Sequence, residues 1–141
     1  MARPTAIFPK EKSVGPREWG EEILLVLSSG KYTMKKLIIK SGNKGGLQFH
    51  RKKDEAGYIV SGTMKIRFED KNGKIEERLV SEGDWFHFPT GSVHQEEAIT
   101  DVTLIEVSTP HFNDRVRVEE EFGFDVVPGL PSTKESEIEE K

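Results

Sequence analysis

Gln48, His50 and Lys52 occupy alternate positions of the chain, and Glu55 follows His50 by five residues. Residues two apart on a β-strand point to the same face. On a strand, Gln48 and His50 therefore enter one interior, and Lys52 shares their side if the strand runs that far. Glu55 lies beyond the Lys53-Asp54 turn region and can converge from the next strand. Further on, Pro89-Thr90-Gly91 makes a tight turn and His94 opens the strand after it. Two imidazoles, one carboxylate and one amide oxygen suit a divalent first-row metal and leave coordination positions open for water or substrate. The chain has no cysteine, which excludes thiolate zinc sites, iron–sulfur clusters and thiol catalysis.

Other polar residues bear on a reaction. Lys52 is read as a cation beside the site, anchoring a phosphate or carboxylate or relaying a proton; the alternative is a solvated Arg51-Lys52-Lys53 run at a strand end. His87 has the opposite parity to Phe86 and Phe88, and is either a base facing the cavity or a satisfied core histidine. Lys52, His87 and Glu96 are the candidates for a proton-transfer role. Lys52, Arg67 and Arg115 are the candidate cations, with Arg67 disfavoured because its parity in Thr63–Glu69 points outward. His111 reads as a surface or interface residue, Trp19 and Trp85 as core, and Glu119-Glu120-Glu121 as a solvated helix face.

The elements that must position these groups are short. Runs of apolar-rich or alternating residues fall at Ile23–Leu27, Tyr32–Lys40, Leu47–Arg51, Gly57–Val60, Thr63–Glu69, Ile75–Val80, Asp84–Phe88, His94–Ile99 and Val102–Val107, with Gly, Ser, Asn, Asp and Pro between them. Asn72-Gly73 is the strongest local hairpin signal. In Thr63–Glu69 alternation is clean: Met64, Ile66 and Phe68 share one face. Many short strands at this spacing imply an all-β sandwich or barrel of jelly-roll type. The one helical candidate is Asn113–Phe122, with a cap signal at Asn113/Asp114 and Gly123 as a stop. Residues 1–16 read as an extended arm, 17–127 as the folded domain and 128–141 as a disordered acidic tail.

Composition narrows the class. A length of 141 residues predicts one domain, large enough to bury about two-thirds of its unfolded surface without a disulfide. The 21 Lys and Arg against 25 Asp and Glu give a net charge of −4 with no basic stripe, which argues against a nucleic-acid partner. No apolar run approaches the ~18 residues of a membrane span, and Met1 to Lys10 has no signal-peptide core. A cytoplasmic protein is expected.

The spacings carry a resemblance. Gly42, Gln48, His50, Glu55 and Gly62 match the first cupin motif, G-x5-H-x-H-x(3,4)-E-x6-G, with Gln48 where the first histidine is usual. Gly83, Pro89, Gly91 and His94 match the second, G-x5-P-x-G-x2-H-x3-N, with Ala98 replacing the asparagine. The chain thus resembles a small single-domain cupin, which implies a single jelly-roll β-barrel, here with a short C-terminal helix. Gln-x-His in the first motif is similar to the phosphomannose isomerase branch, where Gln, His, Glu and His bind zinc. Arg17-Glu18-Trp19-Gly20-Glu21, Leu104-Ile105-Glu106-Val107 and the segment Asn113 to Gly123 are similar to the cupin module of type II phosphomannose isomerases. Ala56-Gly57 departs from the His-Trp usual after the glutamate in those enzymes.

That resemblance implies Gln48, His50, Glu55 and His94 as ligands of one divalent metal, zinc first and Mn, Fe or Ni otherwise. It also implies a homodimer, and a small sugar-like or acidic metabolite as substrate. The function expected is a sugar or sugar-phosphate isomerase or epimerase of the mannose-6-phosphate isomerase type, with Lys52 and His87 as candidate catalytic residues. A metal-dependent dioxygenase and a non-catalytic metabolite-binding module are the alternatives, because one fold hosts many functions.

Overall fold

The computed structural model describes residues 2–126. Eleven strands run β1 (Lys12–Ser13), β2 (Gly20–Ser28), β3 (Tyr32–Ile39), β4 (Gln48–His50), β5 (Glu55–Ser61), β6 (Thr63–Glu69), β7 (Ile75–Ser81), β8 (Trp85–Phe88), β9 (His94–Ala98), β10 (Val102–Ser108) and β11 (Arg115–Arg117). They form two antiparallel sheets, one in the order β1-β2-β3-β10-β5-β8 and the other β11-β4-β9-β6-β7. This two-sheet, all-β architecture agrees with a cupin jelly roll.

Alternation explains why the sheets pack. In β3, Thr33, Lys35, Leu37 and Ile39 are buried while the residues between them are not. In β6, Met64 and Ile66 are buried on one face, and Phe68 packs against the same core. One cluster unites Leu37, Ile59, Leu104 and Phe88 of the first sheet with Met64, Ile66, Val80 and Ala98 of the second. Burying a side chain of this size is worth about 1.5–3 kcal/mol, so the cluster is what joins the two sheets.

Register places chemistry at one end of that core. Across β3, β10 and β5, Leu37, Leu104 and Ile59 form an apolar row. The next row holds Lys35, Glu106 and Gly57, and the one beyond it Thr33, Ser108 and Glu55. The inner face therefore turns from hydrocarbon to charge within two rows.

Turn chemistry follows the sequence in most places. The β6–β7 hairpin closes at Asn72-Gly73, where only the glycine takes positive φ (77°), and Asp70 Oδ1 accepts from the Asn72 and Lys74 N–H groups. Gly62 turns β5 into β6 with φ 91°, and a Cβ there would lie 2.1 Å from the Asp101 carbonyl oxygen.

Three expectations are corrected. The helix over Asn113–Phe122 is absent: Arg115–Arg117 is a strand paired with β4, and only Glu120–Phe122 forms a single 3-10 turn. A polar stretch with one Val per turn offers no apolar helical stripe, whereas β4 offers an edge to pair with. Glu119 is not on a solvated face but 2% exposed, gripped by the Arg117 guanidinium. Trp85 is not core; it is 72% exposed on the edge strand β8. The acidic tail at 128–141 lies outside the described residues.

Candidate metal centre

β4 is short because the chain bends away after His50. Its last residue therefore delivers one imidazole to the charged end of the core. β5 begins with Glu55, and β9 begins with His94, whose register partners are Gln48 on β4 and Phe68 on β6. The Phe88 ring stacks on the His94 ring at 3.9 Å and fixes its plane. These strand ends bring three buried groups together: His50 Nε2 is 3.4 Å and His94 Nε2 3.1 Å from Glu55 Oε1. One candidate ligand atom from each of the three lies within 4.8 Å of the others.

The far nitrogens decide the tautomers. His94 Nδ1 lies 3.0 Å from the Ser92 carbonyl oxygen, which can only accept, so Nδ1 carries the proton. His50 Nδ1 lies 2.9 Å from Asp114 Oδ1 and donates to that carboxylate. Burial would raise the Asp114 carboxyl, but the Lys53 and Lys52 backbone N–H groups and His50 outweigh it and hold it below the ordinary carboxylate range. Both imidazoles thus present their Nε2 atoms to one carboxylate oxygen. A proton on one Nε2 would satisfy one such contact, whereas a divalent cation satisfies all three donors at once. Orienting a ligating histidine through its other N–H is the usual outer-shell device of metal sites. The donor set fits a metal.

The surrounding cavity, about 130 Å³, is lined by the apolar Trp19, Leu37, Ile39 and Phe112 and by more carboxyl groups than basic side chains. Burial pushes Glu55 up, yet the contacts led by the Lys53 charge prevail and hold it well below the ordinary carboxylate range. Lys53 Nζ lies 3.2 Å from Glu55 Oε2 and 3.8 Å from Glu106 Oε1. Burial would lower the Lys53 ammonium, but these carboxylates raise it above the ordinary lysine range. Burial, with the Glu55 and Glu106 charges added, pushes the Glu96 carboxyl well above the carboxylate range. Burial and Glu55 likewise raise Glu106 against the pull of Lys53 and Lys35.

The structure brings His50, Glu55 and His94 together. Gln48 lines the same cavity, where its Oε1 accepts from Arg115 Nη1 at 3.2 Å. Lys52 is not brought to the cavity: β4 ends at His50, parity is lost in the bend, and Lys52 is exposed with its backbone N–H on Asp114. Lys53 occupies the inner position instead, two residues before Glu55 and so on its side of the extended chain. His87 is also outside this cavity, exposed on β8 with Nε2 2.9 Å from Asp54 Oδ1. Arg67 points outward as expected, bonded to Glu77 and Gln95. His111, expected at the surface, lines the cavity. Asp114, read from the sequence as part of a helix cap, is instead the partner of His50; the signal for this is its place beside Arg115-Val116-Arg117, an alternating run that reads equally as a strand.

Comparison with known proteins identifies the fold family. Residues 36–108 match the family model described as the cupin domain. Mannose-1-phosphate guanylyltransferase 2 of Escherichia coli O157:H7 is 29% identical over 111 residues, covering 75% of this chain and 22% of that protein. The capsular polysaccharide assembling protein CapF from Staphylococcus aureus aligns with a TM-score of 0.66 at 24% identity, covering 77% of this chain and 34% of that one. KdgF from Halomonas sp. aligns with a TM-score of 0.58 at 24% identity, covering 67% and 81%. At these identities the two structures show the fold alone. The chain spans between 22% and 29% of the length of the curated relatives it matches. Among the described residues no helix is long and apolar enough to cross a membrane.

Proposed function

The chain belongs to the cupin family, and from that premise we propose that it is a metal-dependent isomerase or epimerase of a small sugar or sugar derivative. The observation that carries the reading is the convergence of His50 Nε2 and His94 Nε2 on Glu55 Oε1 at 3.4 and 3.1 Å, with both Nδ1 atoms anchored. The carbohydrate named in the relatives supports the substrate class: mannose 1-phosphate in one, a capsular polysaccharide in another.

His50, Glu55 and His94 would hold the metal, with Gln48 as a fourth ligand through the amide oxygen that also accepts from Arg115. Zinc suits this nitrogen and oxygen set, and manganese, iron or nickel can take it. The metal would supply Lewis-acid polarisation of a carbonyl and its neighbouring hydroxyl. Asp114 and the Ser92 carbonyl hold the imidazole rings in place. Lys53 keeps Glu55 ionised. Glu96, facing the same cavity, is the group placed to take and return the proton between adjacent carbons. Trp19, Leu37 and Phe112 add apolar surface to the lining. Lys52 and His87, weighed as catalytic groups, have no place in this mechanism. A homodimer in the cytoplasm belongs to the same proposal.

The test is turnover. The zinc-loaded chain, incubated with aldoses and ketoses in D2O, should exchange the C2 proton and interconvert the pair, and chelation should abolish this reversibly. Two histidines with one carboxylate also suit iron oxygenases. Oxygen consumption by the Fe(II)-loaded chain without isomerisation would select that reading, and binding without either reaction would select a non-catalytic module.

A further inference from the structure

The carboxyl groups of Glu22, Glu55, Glu96, Glu106 and Asp114 line the cavity together with three cations, Lys35, Lys53 and Arg115, each of which already has a partner. From the commitment of these cations we propose that the site takes an uncharged polyhydroxylated ligand, a free sugar or polyol, in preference to its phosphate ester. The proposal rests on the metal-dependent sugar reading and names its substrate class.

Each cation is already committed. Lys35 Nζ lies 2.9 Å from Glu22 Oε1, a buried pair that Arg17 joins from the other side at 3.4 Å. Lys53 is shared between Glu55 and Glu106. Arg115 donates to Gln48. A phosphate monoester carries close to two negative charges at neutral pH. Inside this cavity it would have to break an existing pair to find a partner, and a buried charge left without one is expensive.

Hydroxyl groups meet the opposite situation. Each donates one hydrogen bond and accepts others, and a carboxylate is a strong acceptor for it. The Glu96 side chain has no hydrogen bond or ion pair among the described contacts, and it faces the cavity with Glu106 nearby. Trp19, Leu37 and Phe112 offer apolar surface for the C–H face of a sugar. Carboxyl acceptors and hydrocarbon in one lining suit a polyol.

The test titrates the zinc-loaded full chain calorimetrically with D-mannose, D-fructose, their 6-phosphates and inorganic phosphate. The expected result is a free sugar at least tenfold tighter than its 6-phosphate, with inorganic phosphate failing to displace it. In the Glu96→Gln/Glu106→Gln double variant that ratio should shrink at least fivefold. Equal or tighter binding of the ester, displacement by phosphate, or binding of neither sugar nor ester would overturn the proposal, as would an unchanged ratio in the folded double variant. Should that variant not fold, the wild-type ratio alone decides. NMR detection of interconversion separates the two readings. Turnover of the ester alone leaves the isomerase standing and removes this proposal; tight binding of the free sugar without turnover does the reverse.

Discussion

Asp114 Oδ1 receives the Nδ1–H of His50 at 2.9 Å, across 64 residues of chain. The same carboxylate accepts the backbone N–H groups of Lys52 and Lys53 through Oδ2. One side chain thus aims a candidate metal ligand and pins the bend leading from it to the next ligand, Glu55. Outer-shell partners of this kind are worth 10–100-fold in metal affinity. Asp114→Asn should weaken zinc binding by about that factor, measured by competition with a chromophoric chelator, while far-ultraviolet circular dichroism stays unchanged. Unaltered affinity would show that His50 needs no such support.

Lys53 is the cation on which two buried carboxylates depend. Lys53→Met leaves Glu55 and Glu106 uncompensated and should cost about 3 kcal/mol of stability in the metal-free protein. Lys52→Ala, one residue away but exposed, should stay within about 0.5 kcal/mol. Denaturant unfolding of both variants checks the contrast, and equal losses would contradict the placement of the two lysines.

Glu106 gives a pH signature. Burial and the Glu55 charge raise its carboxyl above the ordinary range, against Lys53 and Lys35. The stability associated with its protonated form is then fully present below its unfolded value of about 4.3 and is lost as pH rises through the higher folded value. Glu106→Gln, which mimics the protonated acid, should match the metal-free wild type near pH 4 and exceed it in Tm near pH 8. A variant equally destabilised at both pH values would contradict this sign.

Gly62→Ala probes the β5–β6 corner. With φ at 91° and the Asp101 carbonyl oxygen 2.1 Å from the added Cβ, the substitution forces both a strained backbone and a shift of the turn that leads into β10. A loss of about 2 kcal/mol or more is expected in thermal or chemical unfolding. A neutral result would mean that the turn differs from the one described.

Much of this was legible before the fold was known, because strand parity and motif spacing are local. Met64 and Ile66 are buried as their alternation requires, and His50, Glu55 and His94 converge from the end of β4 and the starts of β5 and β9. What the sequence hid depends on pairing between distant segments. Arg115–Arg117 becomes a strand only because β4 presents an edge to it, and propensity alone favours a helix among so many glutamates. Lys52 and Lys53 exchange roles because alternation ends with the strand, and no local signal marks that end at His50. His87 and Trp85 lie exposed because β8 is an edge strand, a property of sheet order rather than of the Asp84–Phe88 run.

The central claim, that His50, Glu55 and His94 form a metal centre, is tested most directly by elemental analysis of the protein purified after growth with zinc, manganese and iron supplied. The account predicts close to one divalent ion per chain in the wild type, and loss of most of it in folded His50→Ala and His94→Ala. A wild-type protein without stoichiometric metal, or folded variants that retain it in full, would contradict the account.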